Sequence, residues 1–144
     1  MKLNLTIFFL FSCFVSFGQT SMKDIAVVQN KTGFINGRMK DVQDVFLGKY
    51  SRWPVTKEQT TIVLPSSKCA SANTTASVIY KTSVKEMQKY WLSLVFQGRA
   101  NPPVFLDSDA EIIAYVLKTP GAIGVVAAES RKTVDNKYLF LFVE

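Results

Sequence analysis

Histidine is absent from all 144 residues. Its absence removes the commonest general base and the commonest metal ligand at neutral pH. Neither a Ser-His-Asp nor a Cys-His arrangement can be assembled, and a zinc site built on imidazole is excluded. Cysteine is scarce, with only Cys13 and Cys69. Long hydrophobic runs are missing too. The longest apolar stretch, Leu3 to Phe17, carries Asn4, Thr6 and Ser12 and falls short of the ~20 residues that span a bilayer. Acidic residues are the scarcer charge, 11 against 17 basic ones, for a net charge of +6. A basic excess favours anionic ligands or surfaces, or serves only solubility. Both readings stay open, and nothing in the pattern points to nucleic acid.

The N-terminus reads as a targeting segment. Lys2 is a short positive region, followed by Ile7-Phe8-Phe9-Leu10-Phe11 and Phe14-Val15 as an apolar core. Ser16 and Gly18 are the small residues that a signal peptidase accepts. This pattern predicts a signal peptide over 1–18, cleavage after Gly18, and one exported domain over 19–144, periplasmic or extracellular. Leu10-Phe11-Ser12-Cys13 loosely resembles a lipobox, although the bulky Phe11 and the apolar run beyond Cys13 oppose lipidation. Cleavage removes Lys2 and no acidic residue, so the basic excess falls by one. The mature chain keeps Cys69 alone, which excludes an internal disulfide. With 48% hydrophobic residues, stability is expected to rest on an apolar core.

Strand and helix patterns alternate along the rest. Ile25-Ala26-Val27-Val28 is a continuous apolar run, expected of a buried strand. Asn30 to Gly37 reads as a loop. Apolar residues at Met39, Val42, Val45 and Phe46 form one helical face, closed by Gly48. Thr60 to Leu64 is rich in β-branched residues and reads as a strand stopped by Pro65. A polar stretch to Thr75 precedes a short helix expected over Ala76 to Lys81. Ser83 with Glu86, and Ser108 with Glu111, fit capping boxes opening two further helices. Met87, Trp91, Leu94 and Val95 supply the first apolar face; Ile112, Ile113, Val116 and Leu117 supply the second. Pro120-Gly121 reads as a turn, Ile123 to Val126 as a strand, and Tyr138 to Val143 as the last strand. This order predicts an α/β fold, a mixed sheet flanked by helices.

Three blocks resemble one family. Asp44-Val45-Phe46-Leu47-Gly48-Lys49 is followed by Trp53-Pro54. Tyr90-Trp91 precedes Val95-Phe96-Gln97-Gly98-Arg99 and Pro102-Pro103. Ser108-Asp109-Ala110-Glu111 precedes Lys118-Thr119-Pro120-Gly121-Ala122-Ile123-Gly124. In order and spacing they resemble the phosphate-binding component of ABC importers, over roughly Asp24 to Ala128. The resemblance implies a type II periplasmic binding protein-like fold. The mature chain is too short for two lobes, so the expectation is a single lobe, matching the second lobe of the family.

The resemblance also implies where an oxyanion would bind. In the family a Ser-Gly-Thr-Arg-like turn opens a helix and grips phosphate. The corresponding stretch here offers Ser71, Asn73, Thr74 and Thr75, with Lys68 nearby, and lacks the Gly and the Arg. The missing Arg removes a bidentate contact to an oxyanion. Two readings of Ser71 to Thr75 remain: a weak anion site, or a helix start capped by Asn and Thr. Ser108 with Glu111 is read as a capping box alone, and its helix is left out of the site because Glu111 repels an anion. Trp53 and Trp91 are read as packing. No acid–base constellation is visible, so neither catalysis nor a cofactor is expected. The expected function is an exported binding module contacting phosphate or another oxyanion weakly. The alternative is a structural or protein-interaction domain that has lost small-ligand binding, with a protein partner or a second copy as its partner.

Overall fold

The computed structural model describes residues 22–143. The expected leader over 1–18 and Cys13 lie outside the described residues. Ten elements carry the fold: β1 (Ile25–Gln29), β2 (Asn36–Gly37), α1 (Met39–Phe46), β3 (Thr61–Pro65), α2 (Ala72–Thr75), α3 (Val84–Phe96), β4 (Val104–Leu106), α4 (Asp109–Lys118), β5 (Ala122–Ala127) and β6 (Leu141–Phe142). The central sheet has the order β1-β5-β3-β4. β3 runs parallel to both β4 and β5, and β1 is antiparallel to β5. β2 and β6 pair in a separate parallel ribbon. The chain is therefore α/β, with a mixed sheet flanked by helices, as the alternating pattern predicts.

The apolar runs reflect burial on both faces of this sheet. Successive side chains of a strand point to opposite faces, and here each face meets helices. Val27, Leu64, Ile123 and Val125 pack with Phe46, Met87 and Trp91 of α1 and α3. Val28, Val63 and Val126 pack with Ile112 and Val116 of α4. Trp53 and Trp91 are both buried, as expected of packing residues. Each indole N–H finds an acceptor: Trp53 donates to the Gly121 carbonyl at 2.8 Å, and Trp91 to the Tyr80 hydroxyl at 2.8 Å. Tyr80 in turn donates to the Phe46 carbonyl at 2.7 Å, tying α3 to the end of α1. Burial pushes the Tyr80 phenol far up, so it remains a donor at any accessible pH.

Several local expectations need correction. The helix expected over Ala76–Lys81 begins earlier, at Ala72, and continues from Ala76 to Tyr80 as a π-helical turn. That turn carries both Val78 and Ile79 into the core, and Lys81, at φ 56°, stops it. The last strand shrinks from Tyr138–Val143 to Leu141–Phe142, because Asn136–Tyr138 form a 3-10 turn capped by the Asp135 carboxylate. The loop expected over Asn30–Gly37 contains β2, and β4 lies where no strand is expected. Both capping boxes are half-formed: Ser83 and Ser108 accept from the N–H of Glu86 and Glu111 at 3.2 Å. Glu111 reaches back to the Asp107 N–H at 3.0 Å instead.

The amino edge of the sheet closes on Gly121. Its N–H donates to the Asn30 carbonyl at 2.7 Å, and its carbonyl accepts from the Thr61 N–H at 3.1 Å besides Trp53. Its φ is +84°, and a Cβ there would sit 2.3 Å from the Gln59 carbonyl oxygen. Gly121→Ala is expected to cost more than about 2 kcal/mol, since a left-handed residue strains and the facing group is backbone. Trp91→Ala is expected to cost about 3–5 kcal/mol, the usual range for a large core truncation. Urea unfolding of each variant checks both; a loss below about 1 kcal/mol in either would show that the site relaxes freely.

Candidate functional site at the carboxyl edge

β5, β3 and β4 are parallel neighbours, so their carboxyl ends meet at one edge. In α/β sheets, ligands bind outside that edge. Three segments leave it here: Ser66 to Ser71 after β3, Asp107-Ser108 after β4, and the 3-10 turn Ala128–Thr133 after β5. Pro65 ends β3 and frees the chain to turn.

One carboxylate joins all three segments. Asp109, in the first turn of α4, accepts from the Ser71 hydroxyl at 2.6 Å and the Cys69 thiol at 3.5 Å through Oδ1. Its Oδ2 accepts from the Ala127 N–H at 2.9 Å and the Ser130 hydroxyl at 2.7 Å. Ser71 and Cys69 also touch each other, at 3.2 Å. Burial acts to raise the Asp109 pKa; the bonds from Ser71, Ser130, Ala127 and Cys69 outweigh it and hold the carboxyl below its ordinary value of 3.8. The α4 N-terminus favours the same negative charge. The Ser66 hydroxyl bonds the neighbouring Asp107 carboxylate and also accepts from the Lys68 N–H.

The five residues expected at the site divide. Ser71 is buried and committed to Asp109. Its side chain makes no cap bond to α2, because a carboxylate takes the hydroxyl. Thr75 is fully buried, and its hydroxyl has no hydrogen-bond partner. Lys68 and Asn73 are exposed, and Thr74 is half-buried. Only these three face outward. α2 is a single turn, so its N-terminus offers little dipole.

Sequence reasoning omits Asp109 and Ser130. It leaves out α4 on account of Glu111, yet α4 supplies the central group. The signal was the Asp inside Ser108-Asp109-Ala110-Glu111, masked by the stronger Ser/Glu capping pattern. Chemically, the cluster is a set of hydroxyl, thiol and amide donors arranged around a negative oxygen pair, which is how proteins hold oxyanions. The oxygen pair in place is the chain's own. Among the described residues, no group of three or more His, Cys, Asp or Glu side chains could hold a metal ion.

Asp109→Ala strands the Ala127 N–H and two hydroxyls, and is expected to cost roughly 1–3 kcal/mol. The lowered pKa also sets a pH dependence. The unfolded carboxyl binds its proton first, so the contribution is complete above 3.8 and is lost as pH falls through the lower native value. Urea midpoints from neutral pH to below that window should fall more steeply for the native chain than for Asp109→Asn. Parallel curves would show that the carboxylate contributes nothing.

No protein-family model matches the sequence, and no curated protein matches it. Solved structures do match the fold. An ABC-type phosphate transport receptor from Vibrio cholerae superposes with a TM-score of 0.51 at 13% identity, covering 83% of this chain and 46% of the receptor. PstS from Borrelia burgdorferi gives 0.56 at 10% identity, over 83% and 47%. A structure from Clostridium perfringens, described as a phosphate ABC transporter substrate-binding protein with bound phosphate, gives 0.52 at 14% identity, over 83% and 44%. The chain thus spans less than half the length of each. Its fold is that of a single lobe of the phosphate ABC transporter substrate-binding proteins, the family its three sequence blocks resemble.

Proposed function

We propose that the chain is an exported, non-catalytic binding module whose carboxyl edge contacts phosphate or a similar oxyanion weakly. The observation that carries this reading is the convergence of Cys69, Ser71, Ser130 and the Ala127 N–H on one anionic group. A structure of like fold is described as holding phosphate. Lys68, Asn73 and Thr74 remain outward as the donors for an incoming anion. Export rests on the Lys2 region, the apolar core and the small residues before Gln19. Among the described residues no helix is long and apolar enough to cross a membrane.

Affinity is limited by charge. An arriving phosphate meets the Asp109 carboxylate, and the arginine of the family's turn is missing. Each charge-assisted hydrogen bond contributes roughly 1.5–3 kcal/mol. A micromolar site needs about −8 kcal/mol net of association costs. Three outward donors, of which Lys68 alone is charged, fall well short of that beside a like charge. A second reading draws on the same carboxylate. With Asp109 filling the donor cluster, the lobe fold serves a protein partner or a second copy, and small-ligand binding is lost.

Calorimetric titration of the purified protein with inorganic phosphate separates the two. The first reading expects millimolar binding that fades with salt, weakens in Thr74→Ala and Lys68→Gln, and tightens in Asp109→Asn. Absence of heat in both the native protein and Asp109→Asn favours the second reading. Micromolar, salt-insensitive binding unmoved by Asp109→Asn overturns both. Mass spectrometry of the exported product should find Gln19 at its N-terminus, and a product retaining Lys2 to Gly18 would sink the signal-peptide reading.

A further inference from the structure

The opposite, amino edge of the sheet carries a second constellation. The sequence Phe-x-Gly-basic ends both long helices of one face: Phe46-Leu47-Gly48-Lys49 after α1, and Phe96-Gln97-Gly98-Arg99 after α3. The two ends are built alike. Gly48 and Gly98 have φ of 80° and 66°. The Gly48 N–H bonds the Val45 carbonyl at 3.0 Å and the Lys49 N–H the Asp44 carbonyl at 3.3 Å; Gly98 to Val95 and Arg99 to Leu94 repeat the pattern at 3.0 Å each. This is the paired-bond helix stop that a left-handed glycine allows. Gly48 lies against Trp91 and Leu94 of α3, so the two stops sit side by side.

Lys49 and Arg99 thereby border one cleft of about 160 Å³, which Thr60, Trp91 and Asn101 also line. Helix C-termini ordinarily present bare carbonyls that would repel an anion. Here the α1 carbonyls are covered: Tyr80 donates to Phe46 and Tyr90 to Leu47, each at 2.7 Å. Asp44 holds Lys49 at 2.7 Å and offsets part of its charge. Arg99 donates to the neutral Gln97 amide oxygen at 3.5 Å, and no carboxylate among the described residues forms a salt bridge with it. The second, independent observation is Thr60. It is 6% exposed, its N–H is used on the Ser51 carbonyl, and its buried hydroxyl has no partner. A buried, unpaired hydroxyl is costly and rare in a finished structure.

We infer that the cleft between the two helix stops is an anion site separate from the carboxyl edge, taking a small carboxylate or oxyanion against Arg99 and Lys49, with the Thr60 hydroxyl, buried in the cleft wall, turning to complete the contact. The cleft volume suits a single small anion. The inference stands apart from the phosphate reading above, because it shares no residue with it.

Amide NMR titration of the purified protein tests it, with sodium acetate and sodium sulfate as probes and sodium chloride at matched ionic strength as control. Shifts are expected at Thr60, Arg99, Ala100 and Asn101, and not at 66–75. Arg99→Gln should weaken them about tenfold or more, the equivalent of one charge-assisted hydrogen bond. Arg99 is exposed, so this variant should fold. Thr60→Val should weaken binding while raising the melting temperature in probe-free buffer, whereas Lys85→Gln on the solvent face of α3 should change neither. Shifts that chloride reproduces, or that persist unchanged in Arg99→Gln, overturn the inference. Stabilisation by Thr60→Val with undiminished binding removes the hydroxyl from the site and overturns it as stated.

Discussion

Asp109 is the point at which three otherwise separate chain segments become one surface. Parallel strands leave their carboxyl ends adjacent but unconnected, and each following loop exposes polar groups that need partners. A single carboxylate supplies acceptors to the loop after β3, the end of β5 and the turn beyond it. The arrangement is self-consistent electrostatically. The α4 N-terminus and four donors favour the charged form, and the charged form holds the donors in place. It also sets the limit on binding: donors that face an internal anion are not free for an external one.

The amino edge is held by a different kind of constraint, steric rather than electrostatic. Gly121 admits no side chain, and its peptide bonds to Asn30, Thr61 and Trp53. Asn30 extends the same node, donating to the Val116 and Leu117 carbonyls at 3.0 and 3.1 Å at the end of α4. The last turn of α4, the entry to β5 and the entry to β3 are thus fixed together. A helix anchored by its first turn at one edge and its last turn at the other keeps Asp109 in register with Ser71.

What the sequence made legible follows the range of the interactions concerned. α1, α3 and α4 are long enough for their apolar stripes to repeat, and β1, β3 and β5 announce themselves as apolar runs because both faces are buried. β4 is three half-buried residues after two prolines and β2 is two residues, so no periodicity exists to read, while β6 is the part of the expected last strand that pairs. The π-helical turn after α2 depends on packing against α1, which no local propensity encodes. The site divides along the same line. Ser71 was legible as a polar residue after a strand, but its partner lies 38 residues away, on a helix whose opening looked fully explained by its cap. The chemistry of a hydroxyl is local; what occupies it is tertiary.

The distribution of charge carries the same lesson further. A net positive chain suggests that its cations gather at one site. They divide between the two ends of the sheet. Asp107, Asp109, Glu111 and Glu129 share the carboxyl edge with Lys68, Arg131 and Lys132, whereas Lys49 and Arg99 flank the opposite end of the sheet. Attraction between charges in water falls off over roughly 8–10 Å at physiological salt, so cations at the far edge do little for an anion at the near one. The basic excess is therefore a property of particular surfaces and not of the molecule as a whole. The helix stops that put Lys49 and Arg99 together are part of the very blocks that resemble the phosphate-binding family.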